Sequence, residues 1–218
     1  MTHDAQDEQK KTTLRKIALP VGVGAVSGFL AAFGITFFSE DIGETGLSAS
    51  AEIATLVGAL YLMVAVFVCL GTLRPGAGAK LLNVEDADEL REMRSLLLVS
   101  SYGMGLWGAA LIVLALTGPT APIAPVLGIS IAAGLFLVGT YFAVRSYSHS
   151  DELMMSVNRE AAVWGYALVF AFLGGWSALA HVSYLPSPAP LDVLSAFYGM
   201  VLIATFIAAG RRGMLNVR

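Results

Sequence analysis

Six apolar runs without a single Asp, Glu, Lys or Arg confine this chain to very few folds. They are Ile17–Phe38, Ile53–Leu73, Ser95–Thr117, Ile123–Val144, Ala161–Val182 and Val193–Gly210. A hydrocarbon core about 30 Å thick is crossed by a helix of roughly 20 such residues. Inside lipid the backbone has no water to bond to, so an apolar segment of this length satisfies its own N–H and C=O groups as a helix. The runs therefore predict an all-α membrane protein with six transmembrane helices. Hydrophobic residues make up 56% of the chain and charged residues 13%, against about 25% charge in soluble domains. The six runs consume most of the 218 residues, which leaves no segment long enough for a separate soluble domain.

The connections alternate in charge. Residues 1–16, 74–94, 145–160 and 211–218 hold all 13 Lys and Arg, whereas 39–52, 118–122 and 183–192 hold none. Cationic residues are retained on the cytoplasmic side during insertion. This distribution predicts cytoplasmic N- and C-termini and three helical hairpins, Arg15–Arg74, Arg94–Arg145 and Arg159–Arg211. Short loops and small size point to a bacterial inner membrane. Residues 1–16 read as a polar cytoplasmic tail and 211–218 as a basic one. The first run is 22 residues long, longer than the 7–15 apolar residues of a signal peptide, so a retained first helix is expected. Asp88-Glu89-Leu90 and Asp151-Glu152-Leu153 precede the second and third hairpins, each suggesting a short cytoplasmic helix leading into a span. They also hint at a parallel repeat. The segment around Leu90 and Met93 reads as a surface helix or as a solvated connector.

Small residues recur at helical spacing: Gly24 and Gly28 in the first run, Ser101, Gly105 and Gly108 in the third, Gly128 with Ala132 and Ser130 with Gly134 in the fourth, and Ala171 with Gly175 in the fifth. In lipid, close backbone approach over small residues supplies the contact that burial supplies in water. These faces predict internal packing or, at Gly24 and Gly28, a homo-oligomer contact. Trp164, Tyr166 and Tyr184 suit the aromatic belts at the membrane surfaces. Tyr102, Trp107 and Tyr141 lie inside the run ends, and read either as packing aromatics or as the lining of a small apolar pocket.

Chemistry is sparse. His3, His149 and His181 fall in a tail, an inner loop and an outer rim, so they make no common metal site, and the single Cys69 forms no intramolecular disulfide. No HExxH or phosphate-binding glycine loop occurs, and the net charge of −3 provides no nucleic-acid stripe. No catalytic, cofactor or metal residue is expected. Arg15, Lys16, Arg74, Arg94, Arg145, Arg211 and Arg212 stand at span ends, where anionic lipid headgroups lie. Glu40, Asp41 and Glu44, with His181 nearby, form an acidic outer rim that reads as solvated surface or as a pH- or cation-sensing patch. Three functions remain open: a non-catalytic accessory, scaffold or stress-related component; an oligomeric permeation protein for a neutral solute or lipid; and a sensor. Membrane lipids are the expected partners, with a second copy or another membrane protein beside them.

Overall fold

A computed structural model describes residues 47–73, 76, 78, 87–119 and 121–214. Five helices fill them: α1 (Ala49–Leu73), α2 (Ala87–Ala115), α3 (Pro125–Ser148), α4 (Glu152–His181) and α5 (Pro190–Arg211). All five are long and apolar enough to cross a membrane. The only pairing of β type among the described residues is an isolated bridge between Thr117 and Ile123. The run Ile17–Phe38, with Gly24 and Gly28, lies outside the described residues.

The helices outreach the apolar runs. At 1.5 Å per residue, the 29 residues of α2 and the 30 of α4 span about 44 and 45 Å, well beyond a core of roughly 30 Å. The expected short helices ahead of these spans do not stand apart; residues 87–94 and 152–160 are the first turns of α2 and α4 themselves. The reason is local: these segments contain neither Gly nor Pro, and nothing in them interrupts an α-helix once begun.

Helix ends follow side-chain chemistry. Asp151 caps α4, its Oδ1 accepting from the Met154 N–H at 2.7 Å. Pro125 and Pro190 open α3 and α5, where a missing N–H costs no hydrogen bond. At α5, Asp192 Oδ2 accepts from the Ala189 N–H at 2.9 Å, so this carboxylate serves the helix start. At the other end of α5, Gly213 takes φ 73°. There the Met214 N–H donates to Ala209 O and the Gly213 N–H to Gly210 O, both at 3.0 Å, the paired bonds of a Schellman stop. α4 ends the same way, with Tyr184 N–H on Leu179 O and Ser183 N–H on Ala180 O. Here the left-handed position is occupied by Ser183, φ 64°, where a Cβ is unfavourable.

Substantial contacts run in the order α3–α2–α1–α5–α4. α1 and α2 are antiparallel, since Gly58 meets Gly108 while Ala65 meets Gly105. α2 and α3 are likewise antiparallel, with Gly103 against Gly139 and Thr117 against Gly128. α4 and α5 meet at Gly165 with Ala204 and at Glu160 with Arg211. α1 and α5 run parallel: Ala51 and Ala54 share a buried cluster with Tyr61 and Tyr198, with Leu191 and Leu194 packed on it. It follows that Arg91, Arg94, Arg145, Arg159, Arg211 and Arg212 all gather at one end of the bundle, and Glu52 and Asp192 at the other.

Candidate functional site

α2 is held on two sides by backbone contact. A Cβ placed on Gly58 would lie 2.7 Å from the Gly108 carbonyl oxygen, and one on Gly108 would lie 2.6 Å from that of Gly58. Any side chain larger than hydrogen would force α1 and α2 apart. Gly105 faces the same helix, 3.3 Å from Ala65 Cβ by the same construction, while Gly103 faces α3, 3.0 Å from the Gly139 carbonyl oxygen. Ser101 is buried and its hydroxyl donates to Leu98 O at 2.9 Å. Ser101, Gly105 and Gly108 thus lie within the packed part of α2. Gly103, Gly58 and Gly139, which close the same seams, escape a reading based on spacing within one helix. Their signal is a glycine on the neighbouring strip, invisible until the helices are paired.

Trp107 fills the gap over Gly139. Its Nε1 donates to Thr140 Oγ1 at 3.3 Å and its ring stacks on Phe136, centroids 6.1 Å apart. A Cβ on Gly139 would lie 2.7 Å from the indole. Tyr102 and Tyr141 instead flank Phe142 on the outer surface, both about half exposed. Arg145 Nη1 reaches the Tyr141 hydroxyl at 3.4 Å. The structure thus brings Tyr102 and Tyr141 to a shared ring and sets Trp107 in the α2–α3 seam. A groove of about 570 Å³ lies elsewhere, at the end opposite the arginines, lined by Leu114, Thr117, Pro125, Val126, Ile129, Pro190, Leu191 and Leu194.

α4 presents the opposite picture. A Cβ on Gly174 or Gly175 would meet no described residue within 4 Å, and Ala171 is exposed beside them. Val163, Tyr166 and Phe170 are also exposed, the two rings stacked at 6.3 Å. On the far side Phe172 packs edge-on against Trp176, whose Nε1 donates to Pro186 O at 2.9 Å and ties the α4–α5 loop to the helix.

The basic end carries the densest charge chemistry in the described residues. Arg211 Nε donates to Glu160 Oε1 at 2.8 Å and Arg212 Nε to Glu160 Oε2 at 2.9 Å. The Arg211 guanidinium carbon sits 5.7 Å from the centre of the Trp164 ring, within cation–π range. Arg94 is exposed at the start of α2 and Arg145 at the end of α3. Arg15, Lys16 and Arg74 lie outside the described residues, as do Glu40, Asp41 and Glu44 of the acidic rim. His181 is the exposed last residue of α4. Comparison of the chain with protein-family models, with curated proteins and with solved structures finds no match.

Proposed function

We propose that this chain is a non-catalytic, multi-pass protein of a bacterial inner membrane, with both termini cytoplasmic, acting as an accessory or scaffold component, including one engaged under membrane stress. The observation that carries this reading is the contrast between α2, gripped over glycine on two faces, and α4, whose aromatic and small-residue face has no neighbour among the described helices. A bundle whose described helices close on one side and leave α4 uncovered on the other is suited to hold its shape while another membrane protein, or a second copy, lies against α4. The charge distribution supports the orientation, since the described arginines share one end.

A second reading, permeation of a neutral solute or lipid, draws on the apolar groove at the opposite end. The span hydroxyls favour it less. Ser100, Ser101, Thr140 and Thr205 each donate to a carbonyl of their own helix, which leaves them poorly placed to line a polar path.

Crosslinking in native membranes followed by affinity purification, set beside solute flux in proteoliposomes, separates the two. A reproducible crosslinked partner through α4 is expected. Saturable flux by the purified chain would overturn the scaffold reading. A reporter fused after Arg218 is expected to be active in the cytoplasm, and activity only in the periplasm would overturn the orientation.

A further inference from the structure

We propose that the basic end of α4 and α5 is a binding site for the headgroup of an anionic phospholipid, built from Arg211, Arg212, Glu160 and Trp164. It rests on that end lying at a membrane surface, and is independent of the scaffold reading. Two guanidinium groups from adjacent positions converge on one carboxylate, one on each oxygen. One negative charge balances one of the two cations, so the cluster keeps a net positive charge. Both contacts use Nε, which leaves the terminal fork of each guanidinium for a second acceptor. A phosphate diester offers the paired oxygens that such forks bind.

Burial fits a built site rather than loose surface charge. The Glu160 side chain is 21% exposed, while Arg211 and Arg212 are 63% and 40% exposed. The carboxylate is therefore the inner anchor that orients the arginines, and their outer edges face the surroundings. The depth also fits. Glu160 immediately precedes the uncharged run from Ala161, and Arg211 immediately follows the run ending at Gly210, so the cluster stands where hydrocarbon gives way to headgroups. Trp164, one turn further along α4 and beneath Arg211, is a residue type that favours this boundary. Two other described arginines are arranged differently: Arg91 pairs with Asp88 one turn away, and Arg145 reaches a tyrosine hydroxyl. A peripheral acidic protein could meet the same charge, but the site's level against the apolar band favours lipid.

The test is native mass spectrometry of the full-length chain, incubated in detergent with phosphatidylglycerol or phosphatidylcholine, and compared with the R211Q/R212Q and R91Q variants. Phosphatidylglycerol adducts are expected to exceed phosphatidylcholine adducts in the wild type, and to fall about fivefold or more in R211Q/R212Q. R91Q, which removes a charge from the same end, is expected to keep them. In E160Q both arginines remain but lose the carboxylate that orients them, so adducts are expected to fall by less than in R211Q/R212Q, and undiminished adducts would overturn the part of Glu160 in the site. Equal loss in R91Q would show diffuse attraction to the basic end and overturn the site. Unchanged adducts in R211Q/R212Q, or equal uptake of the two lipids by the wild type, would overturn it as well.

Discussion

α2 and α4 differ by one residue in length, and both begin at an Asp-Glu-Leu sequence, yet one is packed between two helices and the other lies at the rim of the described bundle. Leu90 in α2 is fully buried, while Leu153, at the same place in its triplet, is 52% exposed. Asp88 is a first-turn residue of α2 beside Arg91, whereas Asp151 is the cap that starts α4. The two triplets are not structural counterparts. What separates the helices is the partner strip. Gly108 of α2 meets Gly58, and Gly103 meets Gly139, so two backbones touch at each crossing. Among the described residues, Gly165 of α4 finds a small neighbour, Ala204, at 3.7 Å, while Gly174 and Gly175 find none within 4 Å. A glycine brings helices together only where the opposite surface is also small.

The contrast is broken most directly at Gly108. Alanine there would place Cβ 2.6 Å from a backbone oxygen that cannot rotate away. Gly108→Ala is expected to destabilise by about 1–3 kcal/mol, read as a lower midpoint of thermal unfolding in detergent. An unchanged midpoint would mean that the α1–α2 crossing is not as close as described. Next in size is Ser183→Gly, which relieves the left-handed residue that ends α4. It is expected to stabilise by roughly 1 kcal/mol, with the same unfolding measurement giving a higher midpoint. Tyr61→Phe removes the 2.8 Å bond from its hydroxyl to the Tyr198 carbonyl and is expected to cost about 0.6 kcal/mol, the average for interhelical hydrogen bonds in membranes. Denaturant titration in mixed micelles checks it. Gly175→Ala should be smallest, within about 0.5 kcal/mol of wild type. A loss there as large as at Gly108, seen in native membranes but not in detergent, would show that an assembly covers α4, which would sharpen the contrast.

The parts legible in the sequence were those written in single segments. Uncharged length marks five helices, and Pro125 and Pro190 mark two helix starts. The positions of Gly105 and Gly108 on one strip of α2 follow from 3.6-residue periodicity, because both are properties of one helix. Pairing is not. Ala171 and Gly175 have the same spacing as Ser101 and Gly105 yet face outward, since nothing within α4 says which neighbour it will meet. Asp192 could be counted toward an acidic rim by charge alone, whereas its role at the start of α5 depends on a backbone N–H three residues earlier. The arginine pair at 211 and 212 was legible as charge at the end of a span. Its convergence on Glu160, some 50 residues back, required the tertiary fold.

The Tyr61 hydroxyl sets an order of events during synthesis. Its acceptor lies 137 residues downstream, and at about 5–20 residues per second a ribosome needs on the order of ten seconds to reach it. α1, α2 and α3 can zip over their glycines in that interval, leaving the phenol without its final neighbour. The last described helix, α5, is thus the latch on the first one described, and whatever greets the nascent bundle in the meantime encounters an unfinished seam along α1.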